Sequence, residues 1–142
     1  MAEPDFARQM LAAAERDLTV WRKLFADGDV HDAMLGFHAQ QSVEKNLKAV
    51  LAHARITFRR THDLVELLDV LSDAGLMPPP FADRLDELNP YAVEARYGLG
   101  DLRALNRAVV GGWIEAVAVW AGHAVLSSPP PPPSPPPPPP SA

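Results

Sequence analysis

The chain contains no cysteine, which excludes a disulfide framework and a thiolate zinc site and suits a reducing compartment. It has no basic-then-apolar leader at its start and no run that reaches the ~18 apolar residues of a membrane span. The sequence therefore predicts a soluble, cytoplasmic protein with no membrane partner. No stretch alternates apolar and polar residues for long enough to make a strand. Familiar catalytic signatures are missing as well: there is no glycine-rich phosphate loop, no HExxH pair, no G-x-S-x-G elbow and no helix–loop–helix calcium pattern. His31, His38, His53, His62 and His123 are scattered, and His31 and His38 lie seven apart, too far along a helix to chelate together. Neither a metal nor a cofactor is expected.

What the chain has is apolar residues at helical spacing. Its 142 residues are 47% hydrophobic, enough for one domain with a real core. Most of its 16 prolines fall in one run, SSPPPPPSPPPPPPSA, from Ser127 to Ala142. We expect a folded unit over 1–126 and a disordered proline-rich tail over 127–142, which adds nothing to the core.

The fold is organised around FHAQQSVEKNLKAVL, Phe37 to Leu51. At helical pitch Ala33, Gly36, Val43, Leu47, Val50, Leu51 and Ala54 fall on one arc, and Gln41, Glu44, Lys45 and Lys48 fall opposite with Phe37. Gln40 breaks this amphipathic pattern by projecting between Leu47 and Leu51. An amide left without partners there would cost about 1–3 kcal/mol, so something must hydrogen-bond it.

The other segments read as helices around that one. Pro4 suits the first position of a first helix, and Ala7, Leu11, Ala14, Leu18, Trp21 and Phe25 carry its stripe to about Ala26. Asp27-Gly28-Asp29 is a turn in which Gly28 stops one helix and Asp29 caps the next, making antiparallel neighbours. The central helix should end near Arg55, with 56–60 as a connection. A third helix opens at Thr61, or at Asp63 with Glu66 as a capping box, buries Leu64, Leu67, Leu68 and Leu71, and stops at Gly75. Phe81, Leu85 and Leu88 mark a short fourth helix closed by Asn89-Pro90.

Gly98 and Gly100 place a loop before the last helix, which Asn106 caps, or alternatively Asp101. Val110, Trp113, Ile114, Val117, Trp120, Ala121 and Ala124 give that helix a broader apolar face than one stripe requires. Gly111-Gly112 cost it about 2 kcal/mol of propensity and favour a bend or fraying at its start. The class is all-α, an up-and-down bundle of four to five helices. The apolar breadth points to a homodimer, with Trp113 and Trp120 divided between core and interface.

A net charge of −5 argues against a general nucleic-acid coat, but the charge is unevenly placed. From Lys45 to Arg60 the chain carries Lys45, Lys48, Arg55, Arg59 and Arg60, with His53, and no carboxylate. This run is either a solvated face paired with Glu15, Asp63 or Glu66, or a phosphate site. His62 follows directly, either as a cap-region histidine or beside an anion that meets the N–H groups at the start of the third helix. Arg96-Tyr97 can hold a phosphate and stack a base, or anchor a loop to the bundle.

Three segments in order, AQQSVEKNLKAVL, RTHDLVELL and LNPYAVEARY, resemble the HEPN family of small prokaryotic helical proteins. The family's usual pattern is a QxxEKxxKA helix, a THDL helix start and an RY pair before the last helix. The resemblance covers Arg8 to Leu126. It implies a bundle that dimerises and a gene often paired with a minimal nucleotidyltransferase in a toxin–antitoxin or similar two-gene module. The positions it marks are Gln41, Glu44, Lys45, Lys48, Thr61, His62, Asp63, Leu64, Arg96 and Tyr97. One departure stands out. HEPN ribonucleases carry an Arg, a polar residue and then a His a few positions on, early in the last helix. Here Arg107 is followed by Ala108, Val109, Val110, Gly111, Gly112 and Trp113, with no histidine before His123. Arg55 and His62 have a compatible spacing but lie between the second and third helices, where the family does not place its active site.

The resulting ligand-binding set is Gln41, Glu44, Lys45, Lys48, Arg59, Arg60, His62, Asp63, Arg96 and Tyr97, with no catalytic residue assigned. Three functions compete. One is a non-catalytic module that binds a nucleotide, an RNA or a nucleotidyltransferase partner through the basic site. The second is a metal-independent endoribonuclease toxin with a non-standard active site that uses His62 as acid or base. The third is a structural dimeric bundle whose polar motif only satisfies buried groups.

Overall fold

Buried Ala7, Ala14, Leu18 and Trp21 give α1 (Glu3–Leu24) one face to lay against its neighbour. The structure is a computed structural model, and it describes residues 3–92, 104–127, 129, 131–133 and 135–140. Phe25, expected to extend the stripe, lies past the helix end and is exposed. The turn that follows is closed by a side chain: Asp27 accepts from the Asp29 N–H at 2.9 Å. Gly28 does not adopt the left-handed conformation expected of a helix stop. The cap of the next helix is His31, whose Nδ1 accepts from the Ala33 N–H at 3.3 Å, and not Asp29.

Helix α2 (Asp32–His53) is the axis of the molecule. Leu35, Ala39, Val43, Leu47 and Leu51 are buried along it, and it packs against every other helix described in the following paragraphs as well as against α1. It ends in a left-handed residue, as many helices do, but the residue is Arg55, at φ 60°. The Ile56 N–H reaches the Leu51 carbonyl at 2.9 Å and the Arg55 N–H the Ala52 carbonyl at 3.1 Å. A non-glycine there costs about 1–2 kcal/mol, which the two closing hydrogen bonds offset. Gly75, at φ 74°, closes the third helix in the same way without that cost.

Helix α3 (Leu64–Asp73) buries Leu64, Leu67 and Leu71 against α2. Asp63 caps it by accepting from the Val65 N–H at 2.9 Å; Thr61 Oγ1 braces that cap by accepting from the Asp63 N–H at 3.1 Å, and Glu66 pairs with Arg59 in place of the expected capping-box bond. The fourth helix differs from expectation. Leu85–Leu88 is a single 3-10 turn, and helical backbone resumes at 89–92 where Asn89-Pro90 was expected to end it. Proline's fixed φ and missing N–H suit a helix start as well as a stop, and here it stands at a start. Asn89 ties this segment to α3, accepting from the Leu64 N–H at 2.9 Å and donating to Asp63 at 3.0 Å.

Helix α4 (Arg107–Leu126) begins at Asn106, whose side chain accepts from the Val109 N–H at 3.1 Å. It is continuous through Gly111-Gly112, and Gly111 lies against the Trp21 indole. Val110, Trp113, Ile114, Val117, Ala121 and Val125 are buried, Trp120 is half-buried, and Val119 is 73% exposed. By length and composition α4 is apolar enough to cross a membrane, a threshold that no segment was expected to reach. Alanines and glycines raise its average without making an unbroken aliphatic run. Its one carboxylate, Glu115, is held below the ordinary range by hydrogen bonds from Arg22 of α1 at 2.7 Å. The described tail residues carry no helix or strand and are exposed, and Arg55 Nε donates to the Pro131 carbonyl at 2.9 Å.

The described residues thus form an all-α bundle with no strand, three helices packed on α2. Gly36 sets one of the closest approaches in it, because a Cβ at that position would fall inside the ring of buried Tyr91. Gly to Ala inside a helix ordinarily gains about 1 kcal/mol. Here overpacking should outweigh that gain, so Gly36→Ala is expected to lose about 1–3 kcal/mol in a urea melt.

Candidate functional site

Polar residues on α2 do not form the solvated face that periodicity implied. Glu44 is buried, its side chain 4% exposed, because α3 and the strand of chain before it close over that side of the helix. Its two oxygens take four contacts from three donors. Gln40 Nε2 reaches it at 3.1 Å, Lys48 Nζ at 2.9 Å, and His62 Nδ1 meets both oxygens at 3.0 and 3.1 Å. Gln40 also donates to the His62 carbonyl at 3.0 Å and accepts from Gln41 Nε2 at 2.7 Å. The partner that buried Gln40 required is therefore this network, which fastens the start of α3 to the middle of α2. Removing one member of a buried ion pair typically costs about 3–5 kcal/mol, because the other charge stays behind.

A second carboxylate, Asp17 of α1, is built alike. It is buried, and it accepts from His38 Nδ1 at 2.9 Å and from Lys45 Nζ at 2.7 Å. His38, Gln41, Lys45 and Lys48 follow one another at steps of three and four along α2, so they share one stripe of the helix. Each histidine gives Nδ1 to a carboxylate. A carboxylate only accepts, which places the hydrogen on Nδ1 and leaves Nε2 as the free nitrogen.

Much of the basic run is neutralised within the fold. Lys45 pairs with Asp17, Lys48 with Glu44, and Arg59 with Glu66 at 2.7 Å. Arg60 is exposed and pairs with nothing among the described residues. The N–H groups at the start of α3 are also occupied: Asp63 takes that of Val65, and Asn89 takes that of Leu64. An anion at this point must therefore be met by side chains rather than by the helix end. Asp63 is a structural cap in this arrangement.

Arg107 was noted for the histidine it lacks, and its actual role was not anticipated. Its guanidinium donates to Asp32 at 2.8 and 3.0 Å and to the carbonyls of Phe25, Asp27 and Val30 at 2.9, 2.9 and 2.6 Å. It clamps the α1–α2 turn to the start of α4. Burial works against the Asp32 carboxylate, but Arg107 and the Leu105 N–H more than offset it and hold its pKa below the ordinary value.

The structure thus joins Gln41, Glu44, Lys45, Lys48 and His62 in one region, with Arg59, Arg60 and Asp63 on the chain leading into α3. Arg96 and Tyr97 lie outside the described residues. Sequence reasoning missed His38 and Asp17. The helical step from His38 to Gln41 and Lys45 was a usable signal for the first, but nothing local marked the second. The family model described as HEPN domain matches residues 7–115. No curated protein and no solved structure matches the chain.

Proposed function

The chain belongs to the HEPN domain family, which supports a nucleotide- or RNA-related function in general, and from that premise we propose that it acts by binding rather than by catalysis. Its ligand is a nucleotide or an RNA, and its setting is a two-gene, toxin–antitoxin-like module with a minimal nucleotidyltransferase in the cytoplasm. The observation that carries this reading is the junction between α2 and α3, where His62, 59% exposed, meets the buried Glu44–Lys48 pair and exposed Arg60, without a partner among the described residues, stands two positions earlier on the chain. An imidazole oriented from behind by a carboxylate, with a guanidinium two residues away, is suited to hold an anion.

Two features support binding over cleavage. All of Arg107's donor directions are used within the fold, toward Asp32 and three carbonyls, so it is not poised for a substrate. His123, the next histidine on α4, stands at the far end of that helix. The homodimer is part of the proposal, supported by the exposed Val119 and Leu126 and the half-buried Trp120 on α4. Sedimentation at micromolar concentration should give twice 15.4 kDa, and a clean monomer would exclude it.

Titration of wild type with a panel of nucleotides and short RNAs tests the ligand reading. Replacing Arg60 and Arg96 together by Ala should weaken binding by about 2–4 kcal/mol if both contacts are charge-assisted, and added salt should weaken the wild type. No binding across the panel would leave a structural or partner-binding role instead.

A further inference from the structure

We infer that the site at the α2–α3 junction takes a single terminal phosphate, the monoester end of a nucleotide or RNA, and not a run of phosphodiester backbone. The inference rests on the binding role proposed above and narrows its ligand class. It follows from which cations are left over. Lys45, Lys48 and Arg59 each already sit on a carboxylate, at 2.7, 2.9 and 2.7 Å. A polyanionic strand tracking along α2 would meet neutral pairs. Within the stretch from Lys45 to His62, Arg60 and the outer nitrogen of His62 are left without a partner among the described residues.

Standing two residues apart on the link into α3, they offer a ligand one guanidinium and one ring nitrogen, a set suited to one compact dianion rather than to a strand. Glu44 receives Nδ1–H, so Nε2 is the nitrogen that faces a ligand. When the ring is protonated, Nε2–H donates to a phosphate oxygen. When it is neutral, Nε2 is a lone pair and repels that oxygen. The phosphate is therefore met by the protonated ring. Glu44 of α2 is bonded to the ring and shares its charge with Lys48. Along the chain, Arg59 pairs with Glu66, and Asp63, next in sequence to His62, is engaged by the Val65 N–H and by Asn89.

The test uses the full chain and a short RNA made in two forms, with a 5′-phosphate or a 5′-hydroxyl, beside a nucleoside monophosphate. The phosphorylated RNA should bind at least tenfold more tightly than the hydroxyl form at pH 6. His62→Asn should erase most of that difference, with a cooperative thermal melt checking that it still folds even where the midpoint drops, and Arg60→Ala, on an exposed side chain, should reduce it independently. Binding by the nucleoside monophosphate alone would assign the phosphate to a free nucleotide, and binding by the RNA as well would assign it to an RNA end. Equal affinity for the two RNA forms, or a difference that His62→Asn leaves intact, would overturn the terminal-phosphate inference while the broader binding role stands. Failure of every probe would overturn both.

Discussion

A carboxylate buried as deeply as Glu44 must be met by donors, and meeting it determines much of this bundle. Desolvating the charge would cost several kcal/mol if it stood alone. Gln40, Lys48 and His62 between them supply four hydrogen bonds, and two of those residues come from the same helix one turn to either side. The third comes from across the α2–α3 link. The helix that contributes Glu44 is thereby tied to the segment that starts α3, and the Gln40 amide reinforces the tie through the His62 carbonyl. The same bonds that satisfy the core also fix which edge of the imidazole faces outward.

This arrangement is used twice. Asp17 with His38 and Lys45 copies Glu44 with His62 and Lys48, one joining α1 to α2 and the other α2 to α3. Each carboxylate neutralises one lysine and orients one histidine. The basic run in the sequence is thus mostly internal structure, and what remains for a ligand is small and local. At the start of α2, Arg107 performs a comparable service for the α1–α2 turn and α4. A HEPN chain that spends this arginine on its own loops has committed it to the fold.

Local pattern made the helices legible. The stripe of α1, the central place of α2, the Gly75 stop and the Asn106 cap all follow from spacing and capping chemistry. Gln40 was legible too, since a polar residue on an apolar arc states a requirement even when its partner is unknown. Glu44 was misread because periodicity alone places it among the lysines and cannot see that α3 covers that face. His38 and Asp17 are 21 positions apart, so their pairing exists only once α1 and α2 are laid together. The closing of α2 by Arg55 in a left-handed conformation, and the resumption of helix at Asn89-Pro90, ran against the usual preferences because neighbouring contacts overrode them.

The account depends on Glu44 holding the His62 ring by Nδ1–H. Nitrogen-15 shifts of the neutral His62 imidazole, recorded in histidine-labelled protein, test this directly. The Nδ1–H form should be found in the wild type, and Glu44→Gln, whose amide can donate to Nδ1, should convert it to the Nε2–H form. An Nε2–H ring in the wild type, the form that Glu44 cannot hold, would contradict the account.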